Sequence, residues 1–182
     1  MRNIPNIISA FRLLLIGVFI ALFVHEEYLW ALITYLVAFL SDILDGYLAR
    51  RNNWITDIGK LLDPLADKLM LLTALTCFFS AGWLPIWVLL AAAFKELAMI
   101  IGGAFLLKQK VVVQSDWFGK IAGGMFFAGV VLTMLKCFYP VIGTLRIDIA
   151  VFMIAIMCAF IAAYHYAQLS GVFQKKEDLN DD

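Results

Sequence analysis

The chain has 182 residues, 64% of them hydrophobic and 15% charged, with a mean hydropathy of +0.92. A soluble domain of this length carries roughly a quarter charged residues, so composition excludes an ordinary water-soluble globule and predicts a polytopic membrane protein. The formal net charge is zero, which leaves no overall field to attract nucleic acid or an acidic protein partner.

A membrane-spanning helix needs about 20 apolar residues, and six segments meet that length: 7–24, 30–48, 59–79, 84–107, 118–135 and 149–169. The first follows Arg2 and shows no small-residue cleavage site, so it is expected to be a retained span. Polar or turn-forming stretches separate the segments: His25-Glu26-Glu27, residues 50–57, Ser80-Ala81-Gly82, residues 108–116 and residues 139–148. None of the apolar runs sustains the alternation of a strand. The predicted fold is an all-α integral membrane protein, a six-transmembrane-helix bundle over residues 1–174 with a charged cytoplasmic tail at 175–182.

In an alternating topology Arg2, Arg50, Arg51, Lys60, Lys108, Lys110, Lys120, Lys175 and Lys176 share one side, and Lys136 and Arg146 take the other. Basic residues concentrate on the cytoplasmic side, which predicts that both termini and the loop between the second and third segments are cytoplasmic. Trp30, Trp54, Trp83, Trp117 and Tyr139 fall near segment ends, where an aromatic belt belongs. Cys77, Cys137 and Cys158 lie in or beside apolar runs at no metal-ligand spacing and are expected to be small hydrophobes.

The chemistry is concentrated between Asp42 and Lys68. Asp42 and Asp45 are three residues apart at the end of the second segment, and Asp63 and Asp67 are four apart at the start of the third. On helices each pair projects from one face. A short connection between antiparallel neighbours brings both pairs to the same depth, just below the cytoplasmic surface. Carboxylates there are costly unless they bind a cation, line a cavity or pair. Oxygen donors without His or Cys favour Mg²⁺, Mn²⁺ or Ca²⁺ over zinc. Four carboxylates overcharge one such ion and suit two, and paired hard dications commonly handle phosphoryl groups. Gly46, Ala49 and Gly59 leave space beside the acidic face, for a ligand or for helix packing. Arg50 is either a bidentate phosphate ligand or an arginine reaching for the interface.

Asp42-x-x-Asp45-Gly46-x-x-Ala49-Arg50, eight residues, then Gly59-x-x-x-Asp63-x-x-x-Asp67 resembles the signature of the CDP-alcohol phosphatidyltransferase family, with no departure in residue type or spacing. The resemblance implies that Asp42, Asp45, Asp63 and Asp67 hold two divalent cations, Mg²⁺ or Mn²⁺. It also implies that Asp42, Asp45, Gly46, Ala49, Arg50 and Gly59 form the CDP site and that Asp67 is the general base. The implied reaction moves a phosphatidyl group from CDP-diacylglycerol to an acceptor alcohol and releases CMP, in a homodimer of the bacterial cytoplasmic membrane with its active site facing the cytoplasm.

The stretch from Asn3 to Ile16 and the Asp63-Pro64-Leu65-Ala66-Asp67-Lys68 run are similar to family members that use sn-glycerol 3-phosphate; the second run also occurs in those that use phosphatidylglycerol. A small phosphorylated acceptor needs cations, and Lys60, Lys68, Lys95 and Lys120 are the candidates by position. Lys95-Glu96 inside the fourth segment is either functional or a self-neutralising pair. It stands where glycerophosphate enzymes often have Arg-Glu, and Gly119-Lys120 lacks the threonine that usually follows. Asn6 and Arg12 are candidate pocket residues, Arg12 requiring a carboxylate or phosphate partner. His165 between Tyr164 and Tyr166 is expected in an interfacial aromatic cluster. Pro64 is expected to kink or start a helix. The competing functions are a cation transporter, against which stands the lack of a second acidic cluster at the opposite surface, and an inactive assembly partner, against which stands the intact aspartate set.

Overall fold

The computed structural model describes residues 4–52, 57–108, 117–139 and 146–169, with side chains for 10–43, 65–102, 117–139 and 146–165. Every regular element among them is an α-helix: α1 (Ile4–Val24), α2 (Tyr28–Asn52), α3 (Asp57–Ser80), α4 (Ile86–Lys108), α5 (Trp117–Leu135) and α6 (Ile147–Leu169). Each expected segment corresponds to one helix, with ends displaced by at most four residues. The largest displacement is in α2, which continues through Arg50 and Arg51 to Asn52. Helical hydrogen bonding follows the backbone and does not stop where hydropathy falls. α3 likewise runs through Pro64 rather than starting at it.

The turns show how the ends are set. After α1 the Glu27 N–H donates to the Leu22 carbonyl and the Glu26 N–H to the Phe23 carbonyl, with Glu26 at φ 63°. After α3 the Trp83 N–H reaches the Phe78 carbonyl and the Gly82 N–H the Phe79 carbonyl, with Gly82 at φ 72°. Both are Schellman closures, which need one left-handed residue. The second carries the usual apolar contact, Phe78 stacked on Trp83 at 5.7 Å. Because Leu84 also donates back to Phe78 and Pro85 lacks an N–H, α4 begins only at Ile86.

Phe23 joins the two turns. Its ring lies 5.5 Å from Tyr28, 5.8 Å from Phe78 and 5.2 Å from Trp83. The α1–α2 and α3–α4 connections therefore share one end of the bundle, and the ends of α2 and α3 that face each other in sequence lie at the other. α1 packs against α2 and α3, α5 against α6, and α4 against α3 and α6, while α5 also reaches α2 and α3. Phe127 of α5 stacks on Tyr35 and Phe39 of α2.

Large apolar side chains cover much of the outside, among them Leu90, Phe94 and Leu97 on α4 and Met157, Phe160 and Ile161 on α6. On a soluble protein such an area would be a liability; against lipid it is the favoured outer surface. Trp117–Leu135 and Ile147–His165 are long and apolar enough to cross a membrane, and Ala10–Val24 and Tyr28–Ile43 are shorter apolar stretches. Helix hydroxyls are satisfied within their own helices: Thr34 donates to the Trp30 carbonyl, Ser41 to Ala38 and Thr76 to Leu72. Together with the composition, these features mark a membrane protein.

The α5–α6 pair has its own brace. Asp148, fully buried in the first turn of α6, accepts from Lys136, and the Thr133 hydroxyl lies 3.3 Å from its Oδ2. Lys136 is thus paired with a buried carboxylate. One turn inward α5 presents Gly129, where a Cβ would stand 2.7 Å from the buried Phe152 ring. Gly129→Ala is expected to cost about 1–3 kcal/mol through forced repacking. Gly17→Ala, with nothing within 4 Å of its Cβ position, is expected to be neutral or stabilising by up to about 1 kcal/mol. Thermal unfolding of the two variants in detergent checks the contrast.

Candidate active site

Four buried stripes lead to the end of the bundle opposite the aromatic turns. On α1 Phe23 and Phe19 are followed on the same face by Arg12; on α2 Ala31, Tyr35 and Ala38 are followed by Asp42. Leu84, just before α4, and Val88 and Ala92 on it are followed by Glu96. On α3 Phe78, Leu75, Ala74, Met70 and Ala66 face inward, and Asp67, seven residues before Ala74, and Lys68, seven before Leu75, continue the same face. The spacing of three and four residues that builds the core thus also delivers a charged group to the same end on each of four helices.

These groups meet. Arg12, only 1% exposed, places its guanidinium 2.9 Å from Asp42 Oδ1, and the Asp42 side chain is 34% exposed. Asp67 feels the repulsion of Asp42 and Glu96 and the attraction of Arg12 and Lys95, so groups from α1, α2, α3 and α4 act on one carboxylate. Lys68 Nζ lies 3.3 Å from Glu96 Oε2, and Lys95 Nζ lies 2.5 Å from Glu96 Oε1. Lys95 also sits over the Phe126 ring at 4.6 Å, a favourable cation–π placement.

Of the residues singled out in the sequence, Arg12, Asp42, Asp67, Lys68 and Lys95 belong to this cluster. Arg12 has the carboxylate partner that its place in an apolar run demands. Lys120 is exposed and lies over Trp117 at 5.5 Å, and no described contact ties it to the cluster. His165, expected in an interfacial cluster with Tyr164 and Tyr166, meets Phe118 of α5 edge to face at 5.7 Å. Asp45, Gly46, Ala49 and Arg50 occupy α2, Gly59, Lys60 and Asp63 occupy α3, and Asn6 occupies α1; their side chains lie outside the described residues. Along α2 Asp45 follows Asp42 by three residues, and along α3 Asp63 precedes Asp67 by four, so in each helix the two stand about one turn apart.

Among the described residues no three His, Cys, Asp or Glu side chains gather closely enough to hold a metal. The donor chemistry nevertheless fits a hard dication: Asp42 and Asp67 offer only oxygen, reach the solvent and come from separate helices. Two features were not legible as such. Glu96 binds a lysine of another helix as well as its neighbour, making three members of the suspected pair. Tyr35, a buried phenol within electrostatic reach of Asp67, lies two turns before Asp42 on the same face, and that spacing was the available signal.

Comparison with known proteins places the chain in a family. The model of the CDP-alcohol phosphatidyltransferase family matches residues 2–172. The chain belongs to the CDP-alcohol phosphatidyltransferase family, an enzyme family, and the ion-transporter alternative falls. A protein of Aquifex aeolicus named CDP-diacylglycerol–glycerol-3-phosphate 3-phosphatidyltransferase is 38% identical over 120 residues, covering 65% of this chain and 67% of the relative. A Bacillus subtilis protein of the same name is 32% identical over 136 residues, covering 66% and 70%. A Streptomyces coelicolor protein named cardiolipin synthase (CMP-forming) is 38% identical over 127 residues, covering 66% of this chain and 59% of the relative.

The Arg12–Asp42 pair has a direct test. Removing one member of a buried ion pair strands the other charge. Arg12→Leu is expected to lower stability by roughly 1–3 kcal/mol, discounted because Asp42 reaches solvent. Arg12→Leu combined with Asp42→Asn is expected to recover at least half of that loss. Thermal unfolding of both variants in detergent, without added metal, measures the difference.

Proposed function

We propose that this protein transfers the phosphatidyl group of CDP-diacylglycerol to sn-glycerol 3-phosphate, giving phosphatidylglycerophosphate and CMP in phospholipid biosynthesis. The observation that carries the proposal is that Asp42 and Asp67, from separate helices, lie within electrostatic reach of each other and of the Lys95–Glu96 pair, to which Lys68 is also bound. The names of the Aquifex and Bacillus relatives supply the acceptor.

In this reading Asp67 takes the proton of the acceptor hydroxyl. The hydroxyl oxygen forms a bond to the phosphorus attached to the lipid, and the bond from that phosphorus to the CMP oxygen breaks. CMP leaves with the electron pair. Arg50 contacts the diphosphate, and Gly46, Ala49 and Gly59 admit the CDP moiety. Lys68 and Lys95 bind the acceptor's phosphate, with Lys60 and Lys120 at the same surface and Asn6 lining the pocket. Arg12 holds Asp42 in place. Two divalent cations, Mg²⁺ or Mn²⁺, held by Asp42, Asp45, Asp63 and Asp67, would neutralise charge on the diphosphate and the departing phosphate. All six helices, 19 to 25 residues long, would cross the bacterial cytoplasmic membrane with both termini and the site on the cytoplasmic side. Residues 1–174 would form the membrane domain, 175–182 a charged tail, and the working unit a homodimer.

One observation favours a second acceptor. The Streptomyces relative is as similar as the Aquifex one, and its name makes it a cardiolipin synthase; phosphatidylglycerol would then replace glycerol 3-phosphate at the same site.

Purified full-length protein in detergent is expected to release CMP from CDP-diacylglycerol only when glycerol 3-phosphate and Mg²⁺ or Mn²⁺ are present. Asp63→Asn is expected to lower turnover about 100-fold or more. Turnover with phosphatidylglycerol but none with glycerol 3-phosphate selects the second acceptor. Full activity of Asp63→Asn removes that residue from the metal set.

A further inference from the structure

Glu96 is bound by more positive charge than it can neutralise. Its carboxylate, on a residue 6% exposed, contacts Lys68 through Oε2 and Lys95 through Oε1, and the two lysine side chains are only 19% and 17% exposed. A single lysine would have balanced it. A second poorly hydrated ammonium on the same carboxylate adds desolvation cost and lysine–lysine repulsion. Asp67, a further carboxylate within electrostatic reach of Lys95 and Glu96, belongs to the proposed base and metal set. The two ammoniums exceed the charge of the one carboxylate they touch, and on the proposed assignment Asp67 is committed to a cation, which leaves the pair with the surplus positive charge that an anion site requires.

The geometry suits one class of anion. Glu96 separates the two ammoniums by binding one on each oxygen, and it takes one of the three donors that each ammonium carries. Lys95 is fixed from α5 as well, by the Phe126 ring at 4.6 Å. Lys68 directly follows Asp67 on α3, so an anion held by the two ammoniums lies beside the carboxylate proposed as base. A phosphate monoester with two charges and three terminal oxygens matches two ammoniums held in this way.

We propose that Glu96 is a positioning residue, which holds Lys68 of α3 and Lys95 of α4 together as one cradle for the phosphate monoester of the acceptor. The inference rests on the glycerol 3-phosphate reading given above. Glu96 touches neither substrate; it acts by fixing the spacing and orientation of two groups that do. Without it the ammoniums repel and the phosphate loses one of its two anchors, while the CDP site on α2 is unaffected.

Steady-state kinetics on the full chain in detergent separates this role from a structural one. Glu96→Gln is expected to raise the KM for glycerol 3-phosphate about tenfold or more, with a smaller change in kcat. The KM for CDP-diacylglycerol should stay within about twofold. Competitive inhibition by inorganic phosphate should weaken in parallel. Glu96→Asp, which keeps the charge but shortens the reach, should fall between the two enzymes, and it carries the same test if Glu96→Gln does not fold. An unchanged KM for glycerol 3-phosphate, or an equal rise in both KM values, overturns the role of Glu96 alone. Failure of the unmodified enzyme to use glycerol 3-phosphate overturns the acceptor assignment and this inference with it.

Discussion

Charge withdrawn from water must be matched inside the bundle, and the contact between Arg12 and Asp42 is where that constraint is most severe. A guanidinium with 1% exposure in an apolar helix is tolerable only with a carboxylate against it. Its position on α1 thereby fixes which face of α2 turns inward. That face is Ala31, Tyr35, Ala38 and Asp42, so one ion pair and one apolar stripe specify the same helix rotation. Lipid offers little help here, because it does not distinguish one apolar face from another. Polar matching and small residues must select the faces: Arg12 supplies the first from α1, and Ala31 and Ala38 on α2 and Ala66 and Ala74 on α3 supply the second.

The two ends of the bundle are built from different interactions. At one end Phe23, Tyr28, Phe78 and Trp83 interlock two Schellman turns, an arrangement of large rings that needs no charge. At the other end the stripes of α1, α2 and α4 finish in Arg12, Asp42 and Glu96, and α3 adds Asp67 and Lys68. The packed end holds four helices in a fixed relation. The charged end inherits that relation, which is how side chains from four separate helices come to act on one carboxylate. The α5–α6 pair is closed separately by Gly129 against Phe152 and by Lys136 with Asp148, and it meets the site through Phe126 under Lys95.

Much of this was legible in the residues. The apolar runs located every helix among the described residues, because a run of about 20 apolar residues has few other uses. The aspartate spacing pointed to one shared site; of the four, Asp42 and Asp67 have described side chains, and these lie within electrostatic reach of each other. Helix ends were less legible: α2 extends over Arg50 and Arg51, since hydropathy reports environment and not hydrogen bonding. The partner of Glu96 was hidden for a different reason. Lys95 is its neighbour in sequence, whereas Lys68 is reached only through the packing of α3 on α4, which no periodicity in either helix reveals. Lys120 illustrates the converse, a lysine at the expected end of its helix whose described contact is Trp117 rather than the cluster.

Charge balance connects the fold to the proposed chemistry. Among the described residues the cluster consists of Arg12, Lys68 and Lys95 against Asp42, Asp67 and Glu96, equal numbers of each sign. Such a set is self-neutral and can stand near membrane depth without a ligand. On the proposed reaction, engagement of Asp42 and Asp67 with divalent cations removes two of the three negative charges from that balance. Against Glu96 alone the three basic groups then carry two charges in excess, and they become stronger phosphate binders at the stage when phosphates must be held. A site neutral at rest and cationic when loaded stabilises the empty fold and the bound anion with the same residues. Glu96 differs from the two aspartates in this respect: it lies outside the proposed metal set and keeps its lysines throughout.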